Sequence, residues 1–452
     1  MKKLLLFLLT TSLFALTTNN TFRITFQNLK FQNEHMGLLE TSYLFDFGNF
    51  YTGLSVYSAI TGKRGGFFTG GVNLGYKYPL EKITLDSGLF IGGGGGGHAP
   101  QGSGLMLKIY AGALYPLNKN FNLVANLNHI KFKDGEIDST QLALGVDYNF
   151  QDVYFLKPFN GYGYFSKERV FFSPFVLEYI PFDSKTTART KQKRFSLIGA
   201  EIGKYKNENT FYFISTGGAF RGESDGYAEF LFGMGKKFPF LTLKASLGAG
   251  GGGEVDTKGG AIYKIEAQKN ISFLNISAGY MGSFGGVKAY YLKAAINKNF
   301  NFASVGEKYL KIETKKFRIS LYSESYLPSN TIRKDDDSKR LDVMNVDLGY
   351  FIDENYYAFI NAASAYNGGS GGYAVGMFGV GYEKNFFAKI AVGAAGGGRV
   401  DVGGGLLAKA IIGYKFKNFS IGIGRIKAFE GRLDTTILDI GIDFDFYKGI
   451  VE

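Results

Sequence analysis

From residue 21 onward, apolar and polar residues alternate along this chain with a period of two. In Gln141 to Phe150, Leu142, Leu144, Val146, Tyr148 and Phe150 share one side, against Gln141, Ala143, Gly145, Asp147 and Asn149. Near the end, Leu438, Ile440, Ile442, Phe444 and Phe446 oppose Asp439, Gly441, Asp443 and Asp445. FNLVANLN from Phe121 follows the same rule. Such alternation puts one greasy and one polar face on a strand. No segment sustains a 3.6-residue period, so the sequence predicts an all-β protein.

Superimposed on the alternation is an internal repeat. IGGGGGGHAPQGSGLMLK (91–108) returns as LGAGGGGEVDTKGGAIYK (247–264) and as VGAAGGGRVDVGGGLLAK (392–409). Counting segments between turn signals gives about eight strands per copy, each near the 9 to 11 residues that cross a bilayer as a tilted strand. The repeats span 21–150, 169–300 and 316–446, with 151–168 and 301–315 as the stretches that join them. Residues 1–15 read as a secretory signal: Lys2 and Lys3, an apolar run from Leu4, and Ala15 as the last residue before cleavage.

The turns alternate too. YKYPLEK, YPLNKNF, KKFPF, YEKNFF and YKFKNF are short and aromatic-flanked, whereas SKTTARTKQK, NTIRKDDDSKR, NGGSGG and the glycine-run tips are longer and richer in glycine and charge. Short turns at one end, longer loops at the other and an aromatic girdle are features of transmembrane barrels. With the signal and the final strand ILDIGIDFDF, the mature chain resembles bacterial outer-membrane β-barrel proteins as a class. That family's last strand ends on an aromatic; here Phe446 or Tyr447 is followed by Lys448 to Glu452. The resemblance implies the outer membrane of a Gram-negative bacterium, with outer-membrane lipid and small solutes or ions as partners.

Two arrangements fit three eight-stranded repeats. One is a transmembrane antiparallel β-barrel of about 24 strands, the arrangement expected here; the alternative is three tandem eight-stranded barrels. The small lumen-side residues (Gly, Ala, Ser, Asn) favour the wide barrel, because they would fill a narrow interior poorly.

The chemistry of the side chains narrows the function. The absence of cysteine excludes disulfides, Cys-ligated zinc and thiol nucleophiles. Of three histidines, His98 lies near Ser103, but Glu254 and Arg399 take its place in the other copies, so no catalytic constellation is expected and the chain is not read as an enzyme. The glycine runs lack the strand-to-helix context of a nucleotide loop. Glu254, Asp256 and Asp401 read as solvated loop acids rather than a calcium site, so neither a metal nor a cofactor is expected. The net charge is +12, but the basic residues are scattered, which argues against nucleic acid.

Lys108, Lys264 and Lys409 recur after the second glycine cluster, and Lys77 and Lys237 recur with Glu383 in the third place. A charge on the lipid face would cost about 2–4 kcal/mol at mid-membrane. These lysines are therefore expected in the lumen, either paired with acids to hold the wall or lining it to favour anions. The glycine-hairpin candidates are Gly94, Gly251 and Gly397. They are expected to allow close backbone approach, with a smooth surface for a surface partner of unknown identity as the alternative. The functional expectation is a passive outer-membrane pore or transport channel, with anion preference as its finer form. The alternative is a structural or binding protein of closed small barrels presenting glycine-rich hairpins.

Overall fold

The computed structural model describes residues 15–451. The expected signal lies outside the described residues apart from Ala15, which opens the first strand. Twenty-five antiparallel strands follow. β1 to β8 are Ala15–Phe31, Glu34–Phe47, Phe50–Thr61, Phe68–Pro79, Thr84–Gly95, Met106–Pro116, Phe121–Phe132 and Asp138–Phe155. β9 to β16 are Asn160–Pro181, Phe195–Tyr205, Thr210–Gly222, Ala228–Lys237, Thr242–Gly251, Ala261–Ile271, Leu274–Ser283 and Lys288–Ile296. β17 is Lys298–Val305. β18 to β25 are Lys308–Leu327, Leu341–Phe351, Tyr356–Asn367, Ala374–Glu383, Phe386–Gly396, Leu406–Phe416, Phe419–Ala428 and Asp434–Val451.

The ladders close three times. β1 pairs with β8 from Ala15↔Phe155 to Gln27↔Ala143. β9 pairs with β16 from Pro181↔Ala289 to Phe175↔Ala295. β18 pairs with β25 from Ile312↔Val451 to Leu327↔Thr436. These pairings correct the expectation of a single barrel of about 24 strands. A strand has two edges, and β1 spends both on β2 and β8, so none is left to join a wider wall. Each circuit of eight is called a ring below.

The small lumen residues misled because their role is local. A side chain at Gly75 would enter the Tyr51 ring, one at Gly235 the Phe211 ring, and one at Gly379 the Phe359 ring. The glycines are sockets, and aromatic side chains from adjacent strands fill the narrow interior through them, the small-with-large alternation of tapering barrels. Outward residues carry the apolar face: Leu142 and Leu144 are 56 and 54% exposed.

The stretches that join the repeats are largely strand. The first part of β9 pairs with β17 (Phe165↔Val305 to Phe172↔Lys298) and with the start of β18 (Asn160↔Glu313 to Phe165↔Lys308). β25 touches β8 at Tyr447↔Phe155 and β17 at Ile450↔Phe302. Val153, Phe155, Ala303, Ile312 and Val451 are buried together there. This platform at the short-turn end ties the rings together. It also accounts for the residues after the last aromatic: Lys448 is ion-paired with Asp152, and Val451 is in the platform core.

Candidate functional site in the lumens and at the glycine hairpins

Alternation fixes which way each lysine points, and the ladders fix what it meets. Lys108 on β6 reaches Glu40 at 2.8 Å and the Tyr57 hydroxyl at 3.0 Å. Lys264 on β14 reaches Glu229 at 2.5 Å, between the rings of Tyr179 and Tyr291. Lys409 on β23 reaches Glu324 at 2.8 Å. All three lysine side chains are at most 7% exposed. A buried charge needs such a partner, because desolvation without one costs several kcal/mol. Lys77 bonds Asp46 at 2.9 Å, and Lys237 lies over the Tyr205 ring at 4.4 Å, with no carboxylate beside it among the described residues. The acids that complete these pairs (Glu40, Glu229 and Glu324) were not singled out from the sequence. Their inward place in alternating strands was the available signal.

Below the lysines, nearer the short turns, rings 1 and 3 are each crossed by an arginine fork. Arg23 binds Asp86 at 2.7 Å and Asp147 at 2.7 and 2.8 Å. Arg318 binds Asp445 at 2.6 and 2.9 Å and Glu383 at 2.9 Å, and Lys415 binds Glu383 at 3.0 Å and Asp443 at 2.9 Å. In both rings the arginine faces its aspartate across the closing ladder, Arg23↔Asp147 and Arg318↔Asp445. Ring 2 lacks the fork. Ser173 stands at the arginine position and Asn297 opposite it, between the pairs Phe175↔Ala295 and Phe172↔Lys298. Thr242, opposite Lys237, replaces Asp86, which lies opposite Lys77. Further in, Lys244 and Lys293 form a square with Glu201 and Glu266, with contacts of 2.6 to 3.0 Å.

The glycine hairpins lie between rings. A side chain at Gly66 (ring 1) would strike the backbone of Gly251 and Gly252 (ring 2); at Gly226 (ring 2), that of Gly396 and Gly397 (ring 3); at Gly372 (ring 3), that of Gly96 (ring 1). Each has φ near +90° (88°, 87° and 92°), a conformation that favours glycine. A second triad repeats the cycle: Gly104, Gly260 and Gly405 lie against the carbonyls of Ala365, Ala59 and Ala219, the residues beside the β-bulges of the neighbouring rings. Gly65 N–H donates to Lys258 O at 3.0 Å, and Gln101 Nε2 donates to Gly371 O at 2.9 Å. Of the hairpin candidates, Gly251 and Gly397 meet a neighbouring ring, at Gly66 and Gly226, whereas Gly94 abuts Phe68 within its own ring.

Longer loops lie over two of these hairpins, through the bridges Thr186↔Val255 and Arg333↔Val400. In ring 1 the corresponding turn is two residues long, and Arg64 instead donates to His98 O at 2.6 Å. Ser103 accepts from Gly369 N–H of ring 3 at 3.1 Å, so His98 and Ser103 hold backbone. Asp256 is bonded to Lys258 and Asp401 to Arg432.

No family model and no curated protein sequence matches the chain. Alignment with solved structures finds Acinetobacter baumannii OccAB3 (10% identity, TM-score 0.23, covering 95% of this chain and 99% of that one). It also finds Pseudomonas aeruginosa OccK5 (OpdH) at 9% identity and TM-score 0.24, covering 96% and 98%. Pseudomonas aeruginosa OccK2 (OpdF), solved with glucuronate, aligns at 8% identity and TM-score 0.24, covering 96% of each chain.

Proposed function

We propose that the chain is a bacterial outer-membrane protein of three narrow transmembrane barrels, and that its transport role is confined to small ions through lumens closed at rest. Closed ladders leave no unpaired edge for lipid to meet, the outward faces are apolar, and the inward faces are polar, which is the pattern a bilayer demands. The observation that carries the reading is the set of buried pairs Lys108–Glu40, Lys264–Glu229 and Lys409–Glu324, one across each lumen. With their charge cancelled on the spot, these lysines hold the wall. The finer question of anion preference then rests on a cation without an acid partner, and among the described residues Lys237 is one.

The test is planar-bilayer conductance of the refolded mature chain, with heat-modifiable migration as the check of folding. Small, infrequent steps are expected, with ion preference unchanged by Lys108→Gln or Lys409→Gln. Large, stable steps of wide-pore size would overturn the reading. A second reading, a purely structural role, is favoured by the cyclic glycine contacts and the platform, which lock the rings together. A folded protein that stays silent at every voltage would select it.

A further inference from the structure

We propose that the short-turn mouth of ring 2 is a binding site for a small inorganic anion of halide size. The inference rests on the reading of the lumens as small-ion paths and names the ring that takes the ion. Its first support is a departure from the other two rings. Where they carry the Arg23 and Arg318 forks, ring 2 has Ser173, Thr242 and Asn297, and these three residues line a cavity of about 30 Å³. A water needs roughly 10–15 Å³ of such space, so the cavity admits a halide ion or a pair of waters.

The second support is charge. In this lumen Lys244, Lys264 and Lys293 are matched by Glu201, Glu229 and Glu266. Lys237 is left over. Its counterpart in ring 1, Lys77, is neutralised by Asp46. Among the described residues Lys237 meets the face of Tyr205 and no carboxylate, so its half-buried charge at the cavity wall has no acid partner there. The third support is an orphan: Asn297 Oδ1 is buried without a protein partner. Turning that amide over would present its NH₂ to the cavity, and an anion would reward the turn, since amide orientation is set by the hydrogen bonds on offer.

The inner boundary of the site is the Lys–Glu square. Glu201 and Lys244 line this cavity and also a second one of about 10 Å³ deeper in the lumen. The pair therefore stands as the partition between the mouth and the interior. An anion held by Lys237 would approach Lys244 from the mouth side and compete with Glu201 for it. Gln268 Oε1, at 3.4 Å from Lys244, is a further acceptor within reach.

Crystals of the full mature chain grown in bromide test the site by anomalous scattering. A bromide peak is expected between Lys237 and Asn297 in ring 2, with none at the Arg23 or Arg318 forks. Lys237→Gln should lower its occupancy at least tenfold. Grafting the fork of ring 1, Ser173→Arg with Thr242→Asp and Asn297→Asp, should abolish it. The proposal is overturned if folded wild-type protein shows no peak there, or if the peak survives Lys237→Gln. Bromide bound in a protein that is silent in bilayers would sink the conduction reading and leave the site standing. Conductance without a bromide peak would do the reverse.

Discussion

Replacing Glu229 by alanine is expected to destabilise the folded chain by about 3–5 kcal/mol, the loss seen when one partner of a buried ion pair is removed. Glu229 is fully buried and accepts from Lys264 Nζ at 2.5 Å, Tyr179 at 2.8 Å and Tyr227 at 3.3 Å. Its removal strands an ammonium inside ring 2 and leaves two hydroxyls without their acceptor. The flanking tyrosine faces offset part of that cost, since cation–π contacts contribute roughly 0.5–2 kcal/mol. The measurement is thermal unfolding in detergent, followed by loss of heat-modifiable migration. The double variant Glu229→Ala with Lys264→Met should recover most of the loss, because an apolar replacement of both partners is often neutral. A double variant as unstable as the single one would mean that the charge is not what the carboxylate serves.

The strand pattern was legible because a period of two leaves few alternatives. The inward place of Lys409 follows from Ile412 and Tyr414, 63 and 58% exposed on the opposite face. The number of barrels was not legible. Ring closure depends on which edges meet, and nothing local in Thr25 or Gly145 announces that they are neighbours on β1 and β8. Small lumen residues do not by themselves imply a wide barrel, because each can be the socket for a large neighbour. Gly75 contributes little volume, but it admits the Tyr51 ring from the next strand. The lysines were found because they recur. Their acids were not, because Glu40, Glu229 and Glu324 come from strands at different places in the rings. The cavity of ring 2 was hidden for a related reason: Ser173, Thr242 and Asn297 carry meaning only beside Arg23, Asp86 and Asp147, and that comparison needs the register of the ladders.

Gly396→Ala tests the inter-ring contact without a backbone confound, because Gly396 does not occupy the left-handed region. A single methyl there would fall inside contact distance of Gly226 N and Cα, atoms of ring 2. No rotamer relieves a Cβ clash with backbone, so rings 2 and 3 must part or the end of β22 must bend. The expected cost is about 1–3 kcal/mol, the usual range for overpacking. The clash should act on the spacing of two rings rather than on the whole chain, because the cycle keeps its other two contacts and the platform stays intact. The chain has no cysteine, so a pair introduced at Asp225 and Lys334, whose side chains meet at 3.0 Å across these rings, can be joined by a short bifunctional maleimide. Gly396→Ala should reduce that cross-linking several-fold. Gly376→Ala is the control, since a side chain there meets nothing within 4 Å. Cross-linking and melting equal to the parent in Gly396→Ala would mean that the rings do not need glycine to approach, and the recurrence of the runs would require another cause.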